Sequence, residues 1–297
     1  MKIKNHLFMA ALSLLALTAC SSDDADRNAV AGEGRIPILL NSGVAETRAA
    51  TNLQNNRLDQ NAVIDVQIAP SDTKDKTKYD LLQYQVTDAS GSLSPVKKVF
   101  PYYPVSGSKV NIFAVYPVGN LDVSSFSVQE EQLSKDQYKA SDLMFAKVEE
   151  QSAQQAAVTL PFRHLLSKVI VNLTPDSDED IDKSVVKLLN VATRINLTSR
   201  GVLGDADEAS RTKVHMTNDG SMSSAAIIVP QDVPSGVLIE VLLKNNDVVN
   251  YETTQSTIFE SGKKYTFNIK VVESELQVSS KVEPWIETED LPQTIKL

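Results

Sequence analysis

The chain has 297 residues, of which 42% are hydrophobic, and carries a formal net charge of −9 at pH 7. A length of this order predicts two domains, each able to bury a core of its own. The acidic balance argues against nucleic acid as a partner, because phosphate binding needs a basic face. It also argues against docking on anionic lipid headgroups. The only cysteine is Cys20, so an intramolecular disulfide is excluded.

Residues 1–19 have the pattern of a bacterial lipoprotein signal peptide. Lys2 and Lys4 give a positive start, and the apolar run 7–17 matches a signal-peptide core but is too short to span a bilayer. Small residues then precede Cys20, as a lipobox requires. We expect cleavage before Cys20 and acylation of the new N-terminus. The alternative is an ordinary secretory signal in which the cysteine falls by chance.

Two or more acyl chains hold a protein stably in a membrane, so Cys20 is predicted to anchor the chain to the outer membrane. Residues 20–35 are polar and small and are read as a tether. Removal of residues 1–19 leaves 27 basic and 38 acidic residues, a net charge of −11. No second apolar run approaches the length of a membrane span.

The mature chain begins with a short alternating pattern. Ile36, Ile38 and Leu40 share one parity, which predicts a strand. Pro37 cannot donate to a ladder, so we expect that strand at a sheet edge. Residues 41–61 then contain few core residues and are expected to form an exposed loop, which is uncommon in compact domains unless it has a use.

Short β-branched and aromatic runs follow with turn residues between them, and no helical pattern of ten or more residues is evident. The clearest strand is 265–271, in which Tyr265, Phe267, Ile269 and Val271 share one face. We predict an all-β fold of two β-sandwich domains, 36–155 and 156–297, with a helical turn near 133–139. The remaining predicted strands are 63–69, 79–86, 99–103, 109–116, 126–128, 141–146, 157–162, 168–173, 185–191, 194–197, 214–216, 225–229, 237–243, 248–251 and 276–282.

The chemistry-bearing residues favour no catalytic or metal site. His164 lies among apolar residues and is interpreted as a hydrogen-bonded core histidine, and His215 as a strand residue. A Ser-His-Asp triad stays open because triads assemble across a fold, but no Gly-x-Ser-x-Gly elbow is present. The alternating acids of 176–182 resemble a calcium loop without its glycine or its closing glutamate, and are read as a solvated turn. We therefore predict no enzyme activity, no cofactor and no metal.

Four stretches of the chain form a recognisable set: 100–117 (FPYYPVSGSKVNIFAVYP), 141–146 (SDLMFA), 160–169 (LPFRHLLSKV) and 259–269 (FESGKKYTFNI). Together, and in this order, they resemble the Bacteroidetes fimbrillins, the subunits and accessory proteins of FimA/Mfa1-like fimbriae. The lipobox fits this resemblance, and the polar residues after Cys20 are similar to the tether of surface-exposed Bacteroidetes lipoproteins.

The resemblance implies two transthyretin-like β-sandwich domains in tandem. It also implies that an arginine-specific protease cuts the surface lipoprotein in the loop after the first strand. That strand then leaves, and an extended segment of another fimbrial subunit fills the groove by strand addition. The position that matches the cleavage site is Arg48, with Ala49 as the new N-terminus, and Arg35 and Arg57 are rivals.

The resemblance further places the donor strand in the C-terminal region. Leu291, Ile295 and Leu297 share one parity, as a donor would require, whereas Pro292 and the shortness of the tail argue against it. If the tail cannot donate, a tip or accessory subunit is implied instead of a shaft subunit. The predicted function is thus a fimbrial subunit serving adhesion, located at the cell surface and in the fimbrium after processing. The alternative is a monomeric surface lipoprotein that binds a glycan or another host ligand.

Overall fold

Alternating apolar and polar residues along the chain produce a fold made almost entirely of β-strands, seen in a computed structural model. The structure describes residues 35–43, 58–72, 79–175, 184–218, 222–244, 246–272 and 275–285. The all-β fold class expected from the sequence is confirmed. Strands of the first half are β1 (Leu40–Asn41), β2 (Val63–Pro70), β3 (Tyr79–Val86), β4 (Ser92–Pro95), β5 (Val110–Tyr116), β6 (Ser125–Ser127), β7 (Met144–Gln151), β8 (Val158–Thr159) and β9 (Arg163–His164).

The second half adds thirteen strands and one short 3-10 helix, Glu208–Ser210. Its strands are β10 (Ser167–Pro175), β11 (Val185–Ala192), β12 (Arg194–Ser199), β13 (Val202–Ala206), β14 (Arg211–His215), β15 (Thr217–Asn218), β16 (Ser223–Ile228), β17 (Gln231–Val233), β18 (Gly236–Leu242), β19 (Val248–Thr253), β20 (Thr257–Phe259), β21 (Lys263–Val272) and β22 (Glu275–Pro284).

The one α-helix of the described residues, α1 (Lys135–Ala140), lies close to the predicted helical turn. It begins with a capping box in which Ser134 and Gln137 each bond the backbone of the other. Such a box satisfies two of the N–H groups that a helix start leaves free. Tyr138 is fully buried on its inner side.

The first half forms an eight-stranded sheet in the order β8-β1-β4-β3-β2-β5-β7-β9. In the second half, the sheet β15-β16-β10-β21-β22 and the sheet β14-β11-β18-β19 enclose a core. The pattern predicted for β21 is confirmed, because Tyr265, Phe267, Ile269 and Val271 are all at most 5% exposed.

Three clusters of buried apolar side chains hold the fold together. The first is formed by residues between Ile38 and Phe162, and the second by residues between Val169 and Val271. The third combines side chains of both halves, from Val115 to Trp285. The described residues from Ile36 onward form one compact unit. The division into domains 36–155 and 156–297 stays a prediction, as does the transthyretin-like topology.

One predicted strand is wrong, and several short strands were not predicted: β4, β9, β13, β15, β17 and β20. Residues 99–103 contain only an isolated bridge at Tyr102, because Pro101 and Pro104 interrupt any ladder and Val99 is 69% exposed. The strand at this point is β4, whose sequence SLSP has little β-propensity. It is held in the sheet because it pairs with β1 on one side and β3 on the other. Among the described residues, no helix is long and apolar enough to cross a membrane.

Candidate functional site

The N-terminal segment, residues 36–42, is inserted into the first sheet with chain on both sides. Its β1 part pairs antiparallel with β4 and parallel with β8. Ile38 and Leu40 point into the first core at 0% and 3% exposure, as their alternation predicts. Burial of two such side chains stabilises the segment by about 1.5–3 kcal/mol each.

The expectation that this strand lies at a sheet edge is wrong, because the outermost strand is β8, which is only two residues long. Pro37 is tolerated because the bonds on either side of it do not use its nitrogen. Ile38 donates its N–H to Pro101 O at 2.8 Å, and Tyr103 donates to Ile36 O at 3.0 Å. Pro37 faces Tyr102 in the position between these two bonds.

The end of the N-terminal segment is fastened to the turn between β3 and β4. Ser42 donates both its backbone N–H and its hydroxyl to Gly91 O, at 2.8 and 3.1 Å. The Asn41 amide donates to Ser90 O at 3.1 Å. Gly91 has φ +83°, and a Cβ there would lie 2.8 Å from Ser42 Oγ, so glycine is required by both conformation and space.

The turn itself is stabilised by Asp88. Its Oδ1 accepts bonds from the backbone N–H and the hydroxyl of Ser90, at 2.8 and 2.5 Å. Hydrogen bonds from the side chains of Ser90 and Ser92 lower the pKa of Asp88 to about 2. The carboxylate therefore stays ionised and keeps its bonds at any physiological pH. The sequence predicts this turn from Asp88-Ala-Ser-Gly91, but not the strand that it holds.

The predicted cleavage site, Arg48 and Ala49, lies outside the described residues, as does its rival Arg57. The described chain stops at Gly43 and resumes at Leu58, which is buried in the first core at 2% exposure. Arg35 is described and exposed, immediately before the N-terminal segment. The predicted lipidation site, Cys20, also lies outside the described residues.

The C-terminal end of the described chain is a strand with one open side. Strand β22 pairs antiparallel with β21, and no other strand of the described residues pairs with its outer edge. It ends at Pro284, and the next residue, Trp285, is buried at 3% exposure. The predicted donor-strand residues Leu291, Ile295 and Leu297 lie beyond the described part.

Both histidines of the mature chain are placed as predicted. His164 is in the interior, with Nδ1 2.8 Å from Asp142 Oδ1, and both side chains are 0% exposed. This pair is sealed from solvent, which makes it part of the core. His215 ends β14, where its Nδ1 lies 2.5 Å from Glu131 Oε2. Within the described ranges, no three His, Cys, Asp or Glu side chains group closely enough to hold a metal ion.

The described residues thus form an all-β chain with an inserted, clamped N-terminal strand and a His–Asp pair that is sealed from solvent. A family model described as fimbrillin-like matches residues 47–285. The chain therefore belongs to the fimbrillin-like family, a family of structural fimbrial subunits, and the resemblance noted in the sequence is confirmed.

Two comparisons in sequence and structure agree with this membership. A Bacteroides uniformis protein named provisionally as fimbrium subunit Fim1C is 26% identical over 305 residues, covering 95% of each chain. A crystal structure of a provisionally named cell adhesion protein, also from Bacteroides uniformis, has a TM-score of 0.68. It is 20% identical and covers 86% of this chain and 100% of its own.

A second similar structure is the tip fimbrial protein Mfa3 from Porphyromonas gingivalis, with C-terminal truncation. Its TM-score is 0.55 at 9% identity, over 84% of this chain and 100% of that chain. At such identities the structural matches show a common fold, and the family model shows the family.

Proposed function

We propose that this chain is a subunit of a cell-surface fimbria that is exported as a lipoprotein on Cys20. In this proposal an arginine-specific protease cuts between Arg48 and Ala49, the N-terminal segment leaves, and a strand from another subunit takes its place. The assembled fimbria serves adhesion. Membership of the fimbrillin-like family supports the subunit role. The way in which the N-terminal segment is bonded into the first sheet supports the strand exchange.

The observation that carries the exchange is the way the N-terminal segment is bonded. It has backbone bonds on both sides, and its outer neighbours Val158 and Leu160 donate to Leu39 O and Asn41 O at 2.8 and 2.7 Å. Departure of the segment would leave these donors, and the acceptors on the β4 side, without partners. Any extended strand can satisfy them, because the bonds are made by the main chain.

The pockets that Ile38 and Leu40 fill would determine which strand can replace the N-terminal segment. Once Ile38 and Leu40 leave, the apolar side chains of Leu93 and Tyr103 lose part of their cover. Exposed apolar pockets beside unpaired strand edges are unfavourable until a partner covers them. A replacement strand therefore needs two apolar residues at i and i+2.

The C-terminal tail offers that pattern. Ile295 and Leu297 have the spacing of Ile38 and Leu40, and aligning the two pairs puts Pro292 at the position of Arg35. There the proline would lie before the groove and would interrupt no ladder. This register removes the main objection to a C-terminal donor, with Leu291 one position earlier.

The proposal is tested by Arg48→Lys in cells that carry an arginine-specific surface protease. Lysine keeps the charge but is not a substrate, so the variant should be exported and lipidated yet stay uncleaved and monomeric. The unchanged chain should begin at Ala49 and run as a ladder in unboiled gels. Arg57→Lys is the matched control and should assemble normally.

A second arm separates cleavage from donation. Ile295→Asp should be cut at Arg48 but should fail to extend a polymer, because a carboxylate cannot enter an apolar pocket. If the unchanged chain keeps acylated Cys20 and stays monomeric, the assembly proposal fails and the monomeric binding lipoprotein remains. If Ile295→Asp polymerises normally, the donor lies elsewhere.

A further inference from the structure

A cavity of about 460 Å³ opens on the face of the first sheet that is turned away from its core. Asp65 and Gln67 form its floor, on the side of β2 opposite the core residues Ile64 and Val66. The volume is within the range of small-ligand pockets, about 300–1,000 Å³. The cavity is separate from the seat of the N-terminal segment and takes no part in the proposed strand exchange.

Asp65 has an oxygen that nothing in the described structure satisfies. The residue is 1% exposed, and its Oδ2 accepts the backbone N–H of Gly119 at 2.5 Å. Its Oδ1 has no hydrogen-bond partner among the described residues. A buried carboxylate that lacks partners costs free energy, so an orphan oxygen on a cavity floor favours a ligand that brings a donor.

The neighbouring cation is already engaged. Arg200 donates to Asp122 Oδ1 at 2.5 Å and to Gln67 Oε1, and its guanidinium lies 5.5 Å from the centre of the Phe113 ring. The next residue, Gly201, lies against Phe145, where a Cβ would come within 2.3 Å of the ring. With Asp65 and Asp122 opposed by one arginine, the lining keeps one net negative charge.

Part of the cavity wall is apolar, and one of its residues, Leu81, lies in an irregular stretch of β3. Residues 80 and 81 together oppose Gln67 in a β-bulge, since Val66 pairs with Leu82 and Ile68 with Tyr79. Leu81 has φ +45° and is 60% exposed beside the cavity. A bulge that turns a strained, exposed leucine towards a cavity is typical of a binding site. Leu121 and Val123 complete the apolar part of the lining.

We propose that this cavity binds a primary ammonium group carried on an alkyl chain, as in a lysine side chain. The ammonium would donate to Asp65 Oδ1 and supply the missing positive charge. The alkyl stem would pack on Leu81 and Leu121, because lysine stems cover apolar surface while their charge finds a polar partner. A lysine of a neighbouring protein and a free alkylamine share this chemistry.

The test is a titration of the full-length lipoprotein in detergent with a lysine probe, in which binding is monitored by saturation-transfer difference NMR. The probe is Nα-acetyl-lysine N-methylamide, and its Nε-acetylated form is the matched neutral control. We expect the first to bind and the second to bind at least about tenfold more weakly, a difference of about 1.4 kcal/mol. Equal binding by the two probes, or binding by neither, overturns the proposal.

Variants locate the site. Asp65→Asn keeps an acceptor for the Gly119 N–H and removes the charge, so it should weaken binding at least about tenfold. Asp205→Asn, at an exposed position of β13, should bind as the unchanged protein does. Leu81→Ala removes only the exposed wall and should weaken binding several-fold without changing the unfolding temperature, which keeps the test valid if Asp65→Asn does not fold. Normal binding by Leu81→Ala and Asp65→Asn places the probe elsewhere and overturns the proposal.

The source of the ammonium is decided by comparing n-butylamine with the lysine amide. Tighter binding of the lysine amide favours a protein lysine, and equal binding favours a free amine; each outcome supports the ammonium class. Binding of glucose in preference to both would overturn it, because a neutral hydroxyl ligand would then be the better fit.

Discussion

The indole ring of Trp285 lies flat on the imidazole of His164, with ring centroids 3.8 Å apart and planes inclined by 9°. Asp142 Oδ1 lies 2.8 Å from the imidazole Nδ1, at the edge of that ring, and the ammonium of Lys168 lies 5.9 Å from the centre of the indole ring. Trp285 belongs to the core cluster that both halves share. The last described residue of the chain is thus anchored where the two halves meet.

Truncation of Trp285 should strongly destabilise the protein. Removal of a fully packed aromatic side chain costs about 3–5 kcal/mol, so Trp285→Ala should lower the free energy of unfolding by that amount. Trp285→Phe keeps an aromatic ring and should lose less. The measurement is urea unfolding followed by circular dichroism, since Trp285 is the only tryptophan and its fluorescence is lost in both variants.

Val282 provides the control for this prediction. It lies three residues before Trp285, on β22, but is 53% exposed, so Val282→Ala should change stability by about 0.5 kcal/mol or less. An equal effect of Trp285→Ala and Val282→Ala would show that the stacked pair does not anchor the strand.

The stability contributed by the N-terminal segment should depend on Ile38, whose side chain points into the first core. Ile38→Ala leaves a cavity in the first core and should cost about 2–5 kcal/mol of unfolding free energy. Leu39→Ala, one residue further and only half-buried, should cost clearly less. Urea unfolding monitored by the fluorescence of Trp285 measures both, and an equal loss would argue against the described register of this segment.

The turn that clamps this segment should be sensitive to a single methyl group. Gly91→Ala holds an alanine in the left-handed conformation that Gly91 adopts and puts a Cβ 2.9 Å from Gly43 O. The conformation alone costs about 1–2 kcal/mol, and overpacking adds about 1–3 kcal/mol. Gly107 has φ +80° with open space around it, so Gly107→Ala is a control for the first cost alone. Thermal unfolding of both variants should show the larger drop for Gly91→Ala.

Local patterns predicted the elements that carry their own signal. Strand β21 follows from strict alternation, and the paired strands β18 and β19 from the predicted apolar runs 237–243 and 248–251. Strand β4 could not be predicted, because its place depends on neighbours that are distant in sequence. Burial of Leu93 between β1 and β3 outweighs the poor propensity of SLSP.

For the candidate site too, local sequence predicts some features and not those that depend on distant residues. The alternation of Ile38 and Leu40 predicts a buried strand, but its clamp joins Ser42 to Gly91, 49 residues away. Nothing near either residue in the sequence indicates that contact. Asp65 likewise reads as one polar residue in an apolar strand, and its orphan oxygen becomes visible only once β2, the Gly119 turn and Arg200 meet.

Tyr84 should make the protein sensitive to alkaline pH. Its side chain is fully buried, its hydroxyl has no partner in the described part of the chain, and burial, reinforced by Tyr79, raises its pKa well above the usual value of 10. The unfolded chain therefore releases the phenol proton first as pH rises above about 10, and stability falls from that point. Tyr84→Phe removes the buried hydroxyl, so it should raise the free energy of unfolding at pH 7 by about 1 kcal/mol and weaken the decline above pH 10.

The measurement is urea unfolding at pH 7, 9, 10 and 11 for the unchanged protein and the variant. Some alkaline loss should persist in Tyr84→Phe, because burial also raises the pKa of Tyr103 and Tyr265. Tyr251→Phe, at a half-buried position, is the control for loss of a hydroxyl as such. If Tyr84→Phe and Tyr251→Phe lose stability above pH 10 in parallel with the unchanged protein, the buried phenol of Tyr84 does not contribute to the alkaline transition.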